Sequence, residues 1–103
     1  MTNREIIEKL ERSGVSASID RYHDGKYPIY CLIVYKNNID FYRVFDFNNM
    51  YDLKKDIEES IIESHQEVEK FNETISRQYL ELEKEVYKIL FERDFQFKKM
   101  KVV

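Results

Sequence analysis

His65 and Glu69 stand one helical turn apart and could share a divalent cation. A metal site needs a third protein ligand and two alone are a weak signal, so His65 reads as a half-buried structural histidine flanking an apolar stripe. Cys31 could act as a nucleophile only with a base beside it. It lies inside the apolar run Ile29-Tyr30-Cys31-Leu32-Ile33-Val34-Tyr35 with no histidine near it in sequence, which suits a small packed side chain. His23 abuts the pair Asp24-Gly25 and reads as a turn residue. Carboxylates are plentiful, yet Glu58, Glu59, Glu81, Glu83 and Glu85 fall on the expected solvated face of a helix, spaced to pair with Lys55, Lys84 and Lys88. With 2 glycines in the chain, a phosphate-cradling loop cannot be built in the usual way. Arg93, Lys98, Lys99 and Lys101 with Phe95 and Phe97 form the one basic and aromatic cluster. It resembles a nucleic-acid contact in miniature, though cations at a helix C-terminus have a simpler reason to be there. These residues point to no catalytic group, no cofactor and no metal.

Composition narrows the class further. At 103 residues the chain is read as one domain with a modest core, 43% hydrophobic and 15% aromatic. A net charge of −3 argues against general nucleic-acid binding and is too small for a DNA mimic. One cysteine excludes an internal disulfide and fits a reducing compartment. No apolar run is long enough to span a bilayer, and the start MTNREIIEKLERSG lacks the pattern of a cleaved leader, so a cytoplasmic protein is expected. Ile and Lys number 11 each and Asn 6, against 1 Ala, 2 Gly and 1 Pro. This excess of residues with A/T-rich codons points to a low-GC bacterium, or a phage or plasmid living in one.

The elements follow from local signals. Thr2-Asn3-Arg4-Glu5 fits a capping box opening a helix over 3–12, closed by Gly14. Val15, Ala17 and Ile19 then alternate with Ser16, Ser18 and Asp20 as in a strand. Asp24-Gly25 predicts a two-residue hairpin into a central strand over 29–35 that begins after Pro28. A second turn at Lys36-Asn37-Asn38 leads to a strand over 39–47. Centring the hairpin on Asp24-Gly25 sets Tyr22 opposite Tyr27, Ile19 opposite Tyr30 and Ala17 opposite Leu32. One sheet face then carries Ala17, Ile19, Leu32, Val34, Phe41 and Phe45 as core. The other shows Ser16, Ser18, Asp20, Ile29, Cys31, Ile33, Tyr35, Asp40, Tyr42, Val44 and Asp46, polar at its ends and apolar in the middle.

Beyond Asn48 and Asn49, which offer an N-cap, an apolar residue recurs at helical period from Met50 to Ile89, interrupted only by Ser64. No glycine or proline occurs after Pro28; Asn72-Glu73-Thr74-Ile75-Ser76 holds turn-tolerant residues where the helix could instead fold back, but the phase passes unbroken through it. The pattern predicts one amphipathic helix over 50–97, projecting from the part made by 1–49. Residues 50–92 alone would span about 65 Å. The stripe widens late to include Leu80, Tyr87, Leu90 and Phe91, although Phe95-Gln96-Phe97 could instead open a fourth strand. An exposed row of Ile75, Tyr79, Leu82, Val86 and Ile89 would need cover, and a homodimer through that row is expected.

The fold class is therefore α+β, in the order helix, three-stranded antiparallel meander, helix. Double-stranded-RNA-binding domains share this order, but Asp52, Lys54, Lys55, Asp56, Glu58 and Glu59 do not make the basic start to the last helix that such domains use. Over about the first 60 residues the order, in a small acidic chain of low-GC style, resembles that of phage-encoded anti-CRISPR proteins that block an RNA-guided nuclease. The resemblance implies an inhibitor of a host or defence enzyme that works by occupying a surface; it carries no functional residue onto this chain. Tyr22, Tyr27, Tyr35 and Tyr42 are the expected protein contacts, with Asp20, Asp24, Asp40 and Asp46 beside them to suit a basic groove on a larger, nucleic-acid-handling protein. Two other functions fit the same residues: a structural or regulatory homodimer joined by the long helix, and a nucleic-acid-binding module using the sheet or basic tail.

Overall fold

The computed structural model describes residues 1–25 and 27–97, the side chains of Asp24 and Tyr27 excepted. Its elements run α1 (Asn3–Arg12), β1 (Ser16–Asp24), β2 (Tyr27–Tyr35), β3 (Arg43–Phe47), α2 (Met50–Phe71) and α3 (Thr74–Phe91). The α+β class and the order of elements are those read from the sequence. Thr2 and Glu5 form the capping box at the start of α1: the Glu5 N–H donates to Thr2 Oγ1 at 3.2 Å and the Thr2 N–H to Glu5 Oε1 at 3.3 Å.

The strands form one antiparallel sheet in the order β1-β2-β3. Ile19 pairs with Leu32 and Asp24 with Tyr27, so Asp24 belongs to the ladder and not to the hairpin loop. Gly25 takes φ +76°, the conformation that the first central position of a two-residue hairpin loop demands. Each β1 residue thus faces a partner two positions further along β2 than expected. A shift of two keeps every side chain on its expected face. β3 begins at Arg43 rather than Ile39, because the Phe41 N–H donates to the Asn38 carbonyl at 3.0 Å and the Asp40 N–H to Asn38 Oδ1 at 2.9 Å. Those bonds bend 38–41 into a turn outside the ladder.

The long helix does not exist as one element. Asn72 lies in the left-handed region (φ 51°, ψ 39°) and Glu73 is extended, so α2 and α3 form a helical hairpin within overall dimensions of 40 × 34 × 26 Å. Asn tolerates that conformation better than most residues, and its side-chain oxygen accepts from Arg77 Nη2. The apolar phase does slip at the turn. In α3 the buried line is Ser76, Leu80, Glu83, Tyr87 and Leu90, joined by Leu82 and Val86, while Ile75 is 51% exposed. The late widening of the stripe was the true signal, and Ile75 and Tyr79 continued the α2 phase by coincidence. α3 ends at Phe91, with Glu92 left-handed (φ 56°), and 92–97 is neither helix nor strand. There Phe95 meets Tyr87 edge-on at 5.5 Å between ring centroids, and Phe97 lies 4.3 Å from His65.

All three helices serve one face of the sheet. Leu32, Val34, Phe45 and Phe47 are buried on it against Ile6 and Leu10 of α1, Leu53, Ile57 and Ile61 of α2, and Leu82, Val86 and Leu90 of α3. The left-handed residue at the hairpin tip yields a direct check. Asn72→Val should cost about 1–2 kcal/mol in urea unfolding, whereas Asn72→Gly should stay within about 1 kcal/mol of wild type. Equal effects of the two would contradict the hairpin.

Candidate functional site

The outer sheet face is bare of helices, and no strand side chain described on it is buried. Ladder register arranges it in rows. Ser16 and Tyr35 sit at one end, then Ser18, Ile33 and Val44, then Asp20, Cys31 and Asp46, and finally Tyr22 beside Ile29. Tyr22 is 42% exposed, Val44 41%, and Tyr42, just ahead of β3, 52%. The expected contact residues therefore divide. Tyr22, Asp20 and Asp46 come together toward one end, while Tyr35, Tyr42 and Asp40 belong to the other, about 13–20 Å away along β2. The side chains of Asp24 and Tyr27 lie outside the described residues.

Helix α2 enlarges the acidic end. Only Asn48 and Asn49 separate it from β3, so its first turns lie close to that strand. The Asp46 N–H donates to Asp56 Oδ2 at 3.1 Å. Asp46, Asp52, Asp56 and Glu59 line a hollow of about 320 Å³ with Tyr22, Ile29, Phe47 and the single cation Lys55. Burial, and then the charges of Asp46, Glu59 and Glu63, hold the Asp56 carboxyl above its ordinary range against that one backbone bond. The same environment suppresses Cys31: burial first, then Asp46 and Asp20, push its thiol up, away from the reactive thiolate. Asp52, Asp56 and Glu59 were not among the expected contacts. The short β3–α2 connection was the signal that could have placed them there.

A second cluster is internal. Arg43 alternates with Phe45 and Phe47 and so points into the core side of the sheet. Its guanidinium lies 3.3 Å from Oε2 of Glu83 and 4.8 Å above the Tyr79 ring. Glu83 is fully buried, contrary to the solvated position expected for it, and its Oε1 accepts from Ser64 Oγ at 2.5 Å. Ser64, the one polar residue of the apolar stripe, is thus the α2 partner of a buried carboxyl on α3. Desolvation dominates the Ser64 and Arg43 contacts and raises the Glu83 carboxyl to about 7.

Other candidates are placed plainly. His65 Nε2 meets Glu69 at 2.9 Å on α2, and among the described residues no group of three or more His, Cys, Asp or Glu is arranged to hold a metal. The expected dimer row is dispersed: Leu82 and Val86 are inside the core, Tyr79 and Ile89 are half-buried, and Ile75 sits at the hairpin tip. An open groove of about 840 Å³ between the β2–β3 loop and α3 has charges already matched within it, Lys36 with Glu85 at 2.9 Å and Lys88 with Asp94 at 3.6 Å. Lys98, Lys99 and Lys101 of the basic cluster lie outside the described residues. No helix among the described residues is long and apolar enough to cross a membrane. No protein-family model matches this chain, and no match was found among curated proteins or solved structures.

The buried carboxyl has a measurable consequence. Glu83 keeps its proton in the folded chain up to about pH 7, against 4.5 when unfolded. Its stabilising contribution is complete below pH 4.5 and is lost as pH rises through 7. Between pH 4 and pH 8 the stability of Glu83→Gln should therefore gain on wild type by about 2–3 kcal/mol in denaturant titrations. Parallel pH profiles for the two proteins would contradict the assignment.

Proposed function

We propose that this chain is a non-catalytic binding protein that docks its outer sheet face into a basic groove on a larger protein. The observation that carries this reading is the uncovered face itself. Tyr22 and an apolar middle of Ile29, Ile33 and Val44 share it with Asp20 and Asp46, and Asp52, Asp56 and Glu59 extend the acid beyond its edge. Tyrosine adds large contact area at low entropic cost, and under-neutralised carboxylates favour cations on a partner. A groove that normally holds nucleic acid has that chemistry. The element order and A/T-rich residue usage suggest that the target is a defence enzyme of a low-GC bacterium and that the chain inhibits it, in the manner of anti-CRISPR proteins.

The test is affinity capture from a low-GC bacterial lysate with wild-type bait and with Tyr22→Ala/Asp20→Lys. Both substitutions are at exposed positions of β1 and should leave the fold intact by circular dichroism. The bound protein should be lost, with affinity down about a hundredfold, and wild-type binding should weaken steeply with salt. A folded variant that retains the same bound protein in the same amount would sink the reading.

A further inference from the structure

The two edges of the sheet are not equivalent. At the β3 edge the strand has five residues, and the Asp46 N–H is already taken by Asp56. That bond also fixes the phase of the ladder. Asp46 directs its N–H away from β2, so Cys31 and Asp46 form a wide, non-bonded pair, and bonded pairs alternate outward from there. Asp20 opposite Cys31 and Ser18 opposite Ile33 then bond toward β2. The hairpin requires the same phase, because Asp24 and Tyr27 close a two-residue loop and must exchange bonds. The N–H and C=O groups of Ala17, Ile19 and Arg21 consequently point off the free edge of β1. None of the described residues hydrogen-bonds to them.

This edge lacks most of the usual protections. β1 is nine residues long, with no proline, no lysine and no bulge in its register with β2. The side chains of Ala17 and Ile19 are only partly covered by the helical layer.

We propose that a second copy of this chain pairs antiparallel along β1, about a twofold axis through Ile19, to make one continuous six-stranded sheet. The register follows from charge. With Ile19 facing Ile19 of the second copy, Asp20 faces Ser18, Tyr22 faces Ser16 and Arg21 faces Ala17, so no like charges meet. Centring on Asp20 sets two aspartates face to face, and centring on Arg21 does the same with two arginines. Centring on Ser18 leaves fewer bonded pairs. In the Ile19 register the outward groups of Ala17, Ile19 and Arg21 all find partners. The outer faces of the two copies become one surface, and the dimer is independent of what that surface binds.

Light scattering across a concentration series should find twice the 12.6 kDa chain mass at tens of micromolar. Arg21→Pro removes an outward N–H and no bond to β2, a substitution that edge strands tolerate, and should raise the dimer dissociation constant at least about tenfold. Amide exchange on wild type reads the same contact without a variant: the Ala17, Ile19 and Arg21 amides should gain protection as concentration rises. A wild-type monomer at hundreds of micromolar with those amides unprotected overturns the proposal. So does a dimer that persists in folded Arg21→Pro or leaves the three amides open to exchange.

Discussion

The constraint that organises this molecule is the charge that β3 carries into its core. Strand alternation leaves Arg43 no choice of face, because Phe45 and Phe47 must be buried and Arg43 shares their side. The Arg43 guanidinium, 31% exposed, keeps water on one side and meets the buried Glu83 carboxyl on the other, a group that holds its proton up to about pH 7 and is a carboxylate only above that. Glu83 reaches Arg43 only if α3 returns antiparallel to α2, which requires the turn at Asn72. Ser64 then supplies the hydrogen bond that joins α2 to the pair. A purely apolar interior could be stable in several helix placements. One polar cluster of Arg43, Glu83 and Ser64 discriminates among them, and it ties β3, α2 and α3 into one arrangement.

That arrangement commits all helical cover to one side. In a chain this small, a hairpin of helices plus α1 can bury one face of a three-stranded sheet and little else. Ion pairs at the edges of the layer hold it closed: Lys9 reaches Glu92 at 2.7 Å and Lys36 reaches Glu85 at 2.9 Å. Both are exposed or half-exposed and contribute little to stability, but they brace α1 and the β2–β3 loop against α3. The other face stays in water by geometry, whatever its residues. Its apolar middle is therefore left half-exposed, and the aspartates at Asp20 and Asp46 flank it with charge.

How far the sequence was legible depended on the range of the signal. Local rules placed the capping box of α1 and its bounds, since Thr2 and Glu5 act within one turn. Period-two alternation placed Ala17, Ile19, Leu32, Val34 and Phe45 on the core face even though the hairpin register was displaced, because a displacement of two preserves parity. The helical hairpin was legible only as the weaker alternative, from the turn-tolerant residues at 72–76, and the phase of the stripe outweighed it. An unbroken run of apolar residues in phase is compatible with either a straight helix or a turn, and the left-handed Asn72 has no glycine to announce it. Glu83 was misplaced for a related reason: between Glu81 and Glu85 it looks like one of a solvated series. Two residues contained the answer in combination. Arg43 on an apolar strand face and Ser64 in an apolar helical stripe are each anomalous alone, and a buried carboxylate between them accounts for both.

The acidic end of the outer face shows how fold and surface chemistry support one another. Asp52 sits in the first turn of α2 and Asp56 in the next, where the helix dipole and the N-terminal amides favour negative charge. The fold can therefore gather carboxylates there at less cost than elsewhere. The Asp56 carboxyl is nevertheless raised, by burial first and then by the charges of Asp46, Glu59 and Glu63, with Lys55 the one cation in the hollow. A surface in that condition gains free energy when a partner brings cations to it, and the gain falls as salt screens the charges. Cationic ligands that also present a flat apolar stretch can use the Ile29, Ile33 and Val44 middle of the same face. Under the proposed function, proteins with a basic groove meet both requirements, and the one-sided helical packing leaves the face open to them.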